Sequence, residues 1–418
     1  MMLPSVLRQA SPDVRLLFWS RLVRMFGYGF LAVVLVLYLA ALGLDEARIG
    51  LLLTLTLLGD TAISLWITIS ADRVGRRRML VLGALLVLGA GLLFTTSSHF
   101  AVLLLAATIG VISPSGYEVG PFLAIEQAAL SQLVAAERRT GVFAWYNLVG
   151  SFATAAGSLA GGGLARLGQT WGLTPLDSYR VVLVGYALAG LALAVMFQRL
   201  GPGVEAHPAG GDTPTALRPR LGLHRSSGVV LRLSGLFALD AFGGGFVLQS
   251  LVAYWFHVRF GTGEAMLGAI FFGANLLAGV SALAASAIAA RIGLVNTMVF
   301  THLPSNILLT LVPLMPTLPL AIAVLLARFS ISQMDVPTRQ SYTMAIVSPE
   351  ERSAAAGITG TARTVGASLS PVFAGLLLGS ASLMSGLFYA AGGLKVVYDL
   401  LLLNAFRHLR PPEERGEK

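Results

Sequence analysis

Long apolar segments, separated by short polar breaks, follow one another along most of the chain. A helix that crosses a bilayer needs about 20 mostly apolar residues, and the chain supplies about twelve such segments. The alternating segments of about ten residues that are typical of membrane β-barrels are not seen in the sequence. The pattern therefore predicts an all-α membrane protein with twelve transmembrane helices. The predicted spans are 16–42, 48–70, 79–98, 101–132, 141–165, 179–199, 229–258, 265–290, 295–315, 318–347, 354–379 and 384–406.

One polar stretch, residues 201–228, interrupts this series at its middle. It is rich in proline, glycine and charged residues and has no apolar periodicity, which indicates a linker. The linker leaves six predicted spans on either side. We expect an N-terminal bundle at 1–200, a cytoplasmic linker at 201–228, a C-terminal bundle at 229–408 and a cytoplasmic tail at 409–418.

The two halves share a weak sequence repeat. The segment IEQAALSQLVAAER at 125–138 corresponds to TRQSYTMAIVSPEER at 338–352, with Gln127 matched to Gln340. Further matched positions follow in the same order in both halves, namely Gly141, Asn147 and Gly150 in the first and Gly357, Arg363 and Gly366 in the second. Internal repeats of this kind indicate duplication. The chain is therefore predicted to fold as two related six-helix bundles.

Composition and charge limit the functional classes. Hydrophobic residues make up 56% of the 418 residues, and only 12% are charged. The formal net charge of +9 comes from arginines that collect on one side of the predicted spans, which places both termini in the cytoplasm and does not indicate a nucleic-acid surface. The sequence has no cysteine, no histidine pair with metal-binding spacing and no nucleotide-binding P-loop. We therefore predict no metal, no cofactor and no enzymatic activity.

The loop between predicted spans 2 and 3 carries a motif. It reads ADRVGRRRML at 71–80, and Thr68 stands at the position that leads the motif. This sequence resembles the signature G-x-x-x-D-R-x-G-R-R of the major facilitator superfamily, with threonine in place of the first glycine. The resemblance implies twelve helices in two similar halves, with spans 1, 4, 7 and 10 around a central cavity.

The resemblance also implies a cytoplasmic gate at this loop. Asp72 would face the N-terminal end of span 11 in the other half, where a carboxylate is stabilised by about 0.3–1 kcal/mol. The gate is predicted to consist of Asp72, Arg73, Gly75 and Arg76. The alternative is that the arginines only fix the topology.

A second family element is the span 5 pattern G-P-x-x-G-G, which is typical of antiporters. Its near match here is Gly157, Ser158, Gly161 and Gly162, with serine in place of proline. Glycines at this spacing let two helix backbones approach closely. Two interpretations stay open, an antiporter-specific element and general packing of small residues.

Charged side chains lie within the predicted spans, where each is costly and therefore indicates function. Most are on the spans that line the cavity according to the resemblance. The candidate cavity residues, including three tyrosines, are Arg21, Arg24, Tyr28, Tyr117, Tyr254, Asp335 and Arg339. Span 12 carries Lys395 and Asp399 four residues apart, and we expect these two to neutralise each other without a role in transport.

Two ion pairs are expected between the halves. Glu126 and Arg339 occupy matched positions in the repeat, each directly before the matched glutamine, so they should lie at similar depth and face each other across the cavity. Such a pair would serve substrate binding or fix the closed state. Asp60 in span 2 and Arg363 in span 11 also lie at similar depth. Because these spans are neighbours in the family, we predict that Asp60 and Arg363 form an interdomain pair.

Glu118 lies in SPSGYEVGP at 113–121, whose prolines and glycines are expected to break span 4 near the middle of the membrane. A carboxylate beside a broken helix is a common element of transporter binding sites. Burial without a cation partner favours the protonated form of a carboxylate. Glu118 is therefore the first candidate for a proton carrier, ahead of Asp240 and Glu126. The alternative is a hydrogen-bonded structural acid.

These observations and the resemblance favour a secondary transporter of the cytoplasmic membrane that works as a monomer by alternating access. We expect proton-coupled efflux of a small organic molecule, with the substrate, protons and the lipid bilayer as partners and no nucleic acid. Uptake by proton symport is the second hypothesis. The third hypothesis is a membrane sensor that does not transport, although a sensor has little need of so many buried charges.

Overall fold

The computed structural model describes residues 10–206 and 226–409 of the chain. Within this part of the chain all regular structure is helical. The α-helices, numbered in chain order, are α1 (Pro12–Ala32), α2 (Leu35–Ala41), α3 (Glu46–Val74), α4 (Arg76–Thr96), α5 (Phe100–Ile109), α6 (Phe122–Leu133), α7 (Ala136–Thr170), α8 (Pro175–Gln198), α9 (Ser227–Gly245), α10 (Gln249–Phe260), α11 (Glu264–Ile292), α12 (Leu294–Leu311), α13 (Leu318–Phe329), α14 (Asp335–Ile346), α15 (Arg352–Leu378) and α16 (Gly386–Phe406). Short 3₁₀ helices cover Pro202–Val204, Val312–Leu314 and Pro349–Glu351.

These helices follow the predicted spans in order. Among the described residues, nine helices are long and apolar enough to cross a membrane, and the pair α1 and α2, bent by 42°, makes a tenth span. Span 7 consists of α9 and α10, which together cover Ser227–Phe260. The two remaining predicted spans, 4 and 10, are each divided into two short helices.

Span 4 is broken between α5 and α6, as the sequence predicts. Gly116 and Gly120 have φ values of +72° and +83°, in a region that residues with a side chain rarely adopt. Ser113 Oγ donates to the carbonyl oxygen of Tyr117 at 2.6 Å, which closes the turn between them. The break exposes non-helical backbone inside a membrane span, where such backbone occurs only if protein or a cavity surrounds it.

Span 10 is broken at the equivalent place, between α13 and α14, and this break was not predicted. The physical reason is Pro337, which has no N–H and whose ring would clash with the carbonyl group four residues earlier in a continuous helix. Because α14 begins at Asp335, Pro337 lies in the first turn, where its missing N–H needs no partner.

The described residues divide into two compact units. The first contains α1–α8, α10 and the part of α11 up to Phe272, and the second contains α9, the rest of α11 from Gly273 and α12–α16. Thus α10 and the beginning of α11 pack with the first unit although they follow the linker. The predicted domain limits stay a prediction, since linker residues 207–225 and tail residues 410–418 lie outside the described part.

Equivalent helices of the repeat pack in the same manner in each unit. A β-carbon on Gly29 of α1 would overlap the carbonyl oxygen of Thr154 in α7, and one on Gly245 of α9 would overlap Ser370 Oγ in α15. The two glycines lie in matching sequences, FGYGF in α1 and FGGGF in α9. Glycine at these positions permits close helix contact, so the internal repeat is visible in the packing.

Candidate functional site: buried charge clusters

Four charged side chains on α1 and span 4 meet inside the first unit. We call them the N cluster, which consists of Arg21, Arg24, Glu118 and Glu126. Arg24 and Glu126 form a two-pronged pair, with Nη1–Oε1 at 2.7 Å and Nη2–Oε2 at 2.6 Å. Arg24 Nε donates to Glu118 Oε1 at 2.9 Å, and Arg21 pairs with the other oxygen of Glu118. Two arginines face two carboxylates, so the N cluster is balanced in charge.

Hydroxyl and aromatic groups complete the surroundings of the N cluster. Tyr146 of α7 donates its hydroxyl to Glu126, and Ser20 Oγ donates to the same carboxylate at 2.9 Å. The guanidinium of Arg24 lies 4.7 Å from the centre of the Phe122 ring. The side chains of Arg24 and Glu126 are fully buried, and charges at such depth are tolerated only when they are paired and hydrogen-bonded.

The expectation that Glu118 lacks a cation partner is wrong. The break in span 4 directs its carboxylate to Arg21 and Arg24, which lie three residues apart and therefore share one face of α1. The sequence showed the break but not the direction in which the turn points the side chain. The role of Glu118 as a proton carrier stays a prediction, without the support of an unpaired acid.

The three tyrosines predicted for the cavity lie in different surroundings. Tyr28 donates its hydroxyl to the carbonyl oxygen of Val119 at 3.1 Å and so lies beside the N cluster. Tyr117 is exposed in the loop that divides span 4. Tyr254 of α10 donates to Glu46 Oε1 at 2.8 Å. Of the three, Tyr28 is the one that the structure brings to the N cluster.

A second polar group lies inside the second unit. We call it the C cluster, which consists of Asp240, His302, Asn306, Asp335, Arg339, Lys395 and Asp399. Arg339 Nη1 lies 2.9 Å from Asp335 Oδ2 and 3.2 Å from Asp240 Oδ2. Lys395 Nζ donates to the other oxygen of Asp240 at 2.6 Å. Asp335 and Arg339 lie four residues apart and share one face of α14.

The expected neutralisation of Asp399 by Lys395 is wrong, since Lys395 pairs with Asp240 instead. The cause is the glycine-rich segment of α9. A β-carbon on Gly243 would lie 3.1 Å from Cγ of Lys395, closer than an ordinary contact, so glycine at this position leaves room for the stem of the lysine. The lysine therefore extends toward α9 rather than along its own helix.

His302 and Asn306 of α12 belong to the C cluster but not to the predicted set. His302 Nδ1 lies 2.8 Å from Asp399 Oδ1, and Asn306 Nδ2 donates to Asp399 Oδ2 at 2.9 Å. His302 Nε2 lies 3.7 Å from Asp240 Oδ1. The signal in the sequence was the spacing of two polar residues four apart in an apolar span, which places both on one face.

The two clusters occupy equivalent places in the repeat, with opposite charges. Arg24 and Asp240 each lie two residues before the matched glycine motif, and Glu126 and Arg339 each precede the matched glutamine. The first unit pairs Arg24 with Glu126, and the second pairs Asp240 with Arg339. The ion pair is thus retained in both halves while its polarity is reversed.

Comparison with known proteins identifies the family. A family model described as Major Facilitator Superfamily matches residues 17–371 and 259–418. A protein of Saccharomyces cerevisiae (strain ATCC 204508 / S288c), described as uncharacterized membrane protein YJR124C, is 32% identical over 424 residues, which are 95% of this chain and 94% of the yeast protein. The chain belongs to the Major Facilitator Superfamily.

Solved structures show the same fold. A bacterial homolog to the human lysosomal transporter Spinster, in an inward-facing and occupied conformation, has a TM-score of 0.73 at 15% identity over 95% of this chain and 98% of that chain. A D-xylose-proton symporter has a TM-score of 0.71 at 15% identity over 93% and 96%. Likeness at such identity shows the fold alone. Together with the apolar spans, it establishes a multi-pass membrane protein with the all-helical Major Facilitator Superfamily fold.

The signature loop of the superfamily connects α3 with α4. Gly75 adopts a φ of +114° and directly precedes α4, so a residue with a side chain would be strained there. Asp72 Oδ1 accepts from Arg76 Nε at 2.8 Å, while Arg73 is exposed. The predicted contact of Asp72 with span 11 concerns both units and stays a prediction.

Glu205 belongs to this loop region but not to the predicted gate. It follows the 3₁₀ helix Pro202–Val204 and accepts from the backbone N–H groups of Arg76 at 2.6 Å and Arg77 at 3.3 Å. Its carbonyl oxygen accepts from Gln132 Nε2 at 2.9 Å. A carboxylate that caps a helix N-terminus is stabilising. The sequence feature that could have predicted this helix cap is an acidic residue shortly after the proline and glycine that follow span 6.

The antiporter-like residues of the superfamily lie in α7 and bring helices together. β-Carbons on Gly157 and Gly161 would overlap backbone carbonyl oxygens of α1, and one on Gly162 would overlap a carbonyl oxygen at the start of α11. Ser158 Oγ accepts from Gln249 Nε2 at 3.1 Å. The pattern therefore provides close packing on two faces of α7, and its antiporter-specific meaning stays a proposal.

The two predicted pairs between the halves concern residues of different units. Asp60 of α3 is buried and accepts from Ser64 Oγ at 3.3 Å, and Arg363 of α15 is partly exposed. Glu126 has its ion-pair and hydrogen-bond partners within its own unit, as does Arg339 within the second. Both pairings therefore stay predictions.

Proposed function

We propose that this protein is a secondary active transporter of the cytoplasmic membrane that exports a small organic molecule in exchange for protons. The observation that carries the proposal is the pair of charge clusters buried in the two units. Charged groups within membrane spans are costly and, as a rule, functional. A purely structural core gains little from them, because well-packed apolar residues stabilise a fold as well as a buried ion pair does.

The breaks in spans 4 and 10 support a substrate-binding function. Each break leaves backbone groups outside the helical hydrogen-bond pattern, and transporters use such groups to bind substrates near the middle of the bilayer. The breaks lie in equivalent spans of the two halves. We infer a central substrate site and transport by alternating access.

Coupling to protons follows from the chemistry of the clusters. The sequence has no P-loop for ATP, so an ion gradient is the source of energy in this proposal. Carboxylates and a histidine away from bulk water are the groups that bind and release protons near neutral pH. In the proposed topology the protein acts as a monomer with both termini in the cytoplasm.

Transport in proteoliposomes tests this proposal once a ligand is known. A thermal-shift screen of the purified protein against metabolites and drugs identifies the ligand, because binding stabilises the folded state. We expect this ligand to accumulate in the lumen when the lumen is acidic, as exchange for protons requires. Protein-free liposomes control for trapping by pH alone. Accumulation only with an alkaline lumen means symport, and accumulation under neither gradient contradicts proton coupling.

A further inference from the structure

The C cluster contains one more carboxylate than permanent cations. Its acids are Asp240, Asp335 and Asp399, and its permanent cations are Arg339 and Lys395, all of them buried. A net negative charge in the interior of a membrane protein is strongly unfavourable. The C cluster is therefore balanced only when it holds one additional proton. The N cluster has no such requirement, because its two arginines match its two carboxylates.

His302 is the residue placed to carry this proton. Its Nδ1 atom lies 2.8 Å from Asp399 Oδ1 and 3.0 Å from Asn306 Nδ2. We assign the hydrogen of the neutral ring to Nδ1 because an ionised carboxylate only accepts hydrogen bonds and Asp399 is the nearer of the two groups. The lone pair of the neutral ring is then on Nε2. That atom lies 3.7 Å from Asp240 Oδ1, where a second proton on the ring completes an ion pair.

Charged and titratable groups near His302 belong to the helices around α12, and Asn306 of α12 itself lies 3.0 Å from Nδ1. From α16 these are Asp399, Lys395 and Tyr398, whose ring centre lies 5.8 Å from that of the histidine. Asp240 comes from α9, and α14 contributes Asp335 and Arg339. The remaining neighbour, α13, carries Arg328, whose guanidinium lies 4.8 Å from the centre of the adjacent Phe329 ring.

We propose that Nε2 of His302 is the site at which the transported proton binds. The inference rests on the proposed proton coupling and assigns the coupling proton to span 9. A proton taken from water binds Nε2 and neutralises the C cluster. Its release leaves Asp240 with Lys395 and Arg339 alone, so the balance of charge among α9, α12, α14 and α16 changes with each proton. Glu118 and Glu126 of the N cluster then hold substrate or structure and not the coupling proton.

Nuclear magnetic resonance of a single-histidine protein tests the site directly. Replacing the other five histidines, His99, His207, His224, His257 and His408, leaves His302 and the C cluster unchanged. With ¹⁵N-labelled histidine in lipid nanodiscs, we expect Nε2 to gain a proton as the medium is acidified, while Nδ1 keeps its hydrogen throughout. A ring that keeps one protonation state from alkaline to acidic medium overturns the proposal. This measurement needs no transport substrate.

Transport by His302→Gln separates this inference from the proposed function. We expect the variant to lose pH-driven accumulation of the thermal-shift ligand while still binding it and exchanging it down its own gradient. His99→Gln, at an exposed histidine, is the matched control and should transport as wild type does. Undiminished pH-driven accumulation in His302→Gln contradicts the histidine assignment and leaves proton coupling intact. Wild-type transport that ignores the pH gradient contradicts both.

Discussion

Arg24 shows how a single charge is held inside a membrane-spanning bundle. All of its polar atoms face carboxylates, and an aromatic ring covers one side of the guanidinium. An intact buried group of paired charges contributes little net stability, because the attraction between the charges only offsets the cost of removing them from water. Removing one partner is different, since the carboxylate that remains is buried without a counter-charge.

Arg24→Gln should therefore destabilise the protein by about 3–5 kcal/mol. The matched control is Arg48→Gln, because Arg48 pairs with Asp45 at the surface, where the side chains are 59% and 56% exposed. An exposed pair contributes about 0–1 kcal/mol, so the control should unfold almost as wild type does. Thermal unfolding of the purified variants in one detergent provides the comparison. Equal stability of the two variants would show that Glu126 finds another partner.

Residue identity predicted which charges lie buried within the spans but not which of them pair. Arg24, Glu126, Asp240 and Arg339 were identified because charge in an apolar span is rare, and this holds for any fold. Pairing depends on where neighbouring helices lie, so Lys395, at helical spacing from an acid, nevertheless extends to another helix. Apart from Asp335 with Arg339 and His302 with Asn306, each four residues apart, the contacts of both clusters connect residues far apart in sequence. Local spacing carries no information about those distant contacts.

Helix α7 shows how elements are brought together without side chains. Some of its glycines contact the backbone of a neighbouring helix, and others have no neighbouring atoms. A β-carbon at Gly161 would overlap the carbonyl oxygen of Phe30, whereas one at Gly163 has nothing within 4 Å. The position of a glycine relative to its neighbours, and not its spacing alone, decides whether it is required.

Gly161→Ala and Gly163→Ala should accordingly have opposite effects. The first forces α7 away from α1 and should cost about 1–3 kcal/mol of stability. The second adds a methyl group in open space and should be neutral or stabilise the helix by about 0.5–1 kcal/mol. Thermal unfolding of the purified proteins distinguishes them. A loss of stability at Gly163 as large as at Gly161 would mean that helix propensity, and not the contact, controls both positions.

The helices themselves can be predicted from the length of the apolar segments and from the prolines and glycines that interrupt them. The break in span 4 was predictable because two prolines and two glycines are concentrated there. The break in span 10 depends on the single residue Pro337 in a segment apolar enough for one helix, and a lone proline is compatible with either a kink or a helix start. The packing of neighbouring helices around Pro337 decides that a new helix begins at Asp335.

At the scale of the whole molecule, two spans belong to both units. Span 7 has α9 in the second unit and α10 in the first, and α11 passes from the first to the second at Phe272–Gly273. The chain therefore passes between the units at residues 248–249 and 272–273 as well as at the linker. The predicted pair of Asp60 and Arg363 would connect the units at another place.

Charge exchange tests that pair. Arg363→Gln should destabilise the protein by about 3–5 kcal/mol, because it leaves the buried Asp60 unpaired. Asp60→Asn should cost less, because Arg363 is partly exposed. The double variant Asp60→Arg with Arg363→Asp should recover part of this loss, because it restores opposite charges. Asp177→Asn serves as the control in the same thermal unfolding assay, because the Asp177 side chain is 46% exposed and its pair with Arg180 lies at the surface. Two single variants as stable as wild type would show that Asp60 and Arg363 have no mutual contact.

The ion pair of Arg24 with Glu126 also has a consequence for biogenesis. The two residues are 102 positions apart in sequence, so at a translation rate of about 5–20 residues per second the arginine leaves the ribosome roughly 5–20 s before its partner. An arginine at the centre of an inserting helix costs about 2.5–3.5 kcal/mol, and span 1 carries two of them. We expect nascent span 1 to remain beside the translocon until span 4 is synthesised, so that both spans enter lipid together. The order in which the spans insert is then determined by the pairing of their charges and not by their order in the sequence.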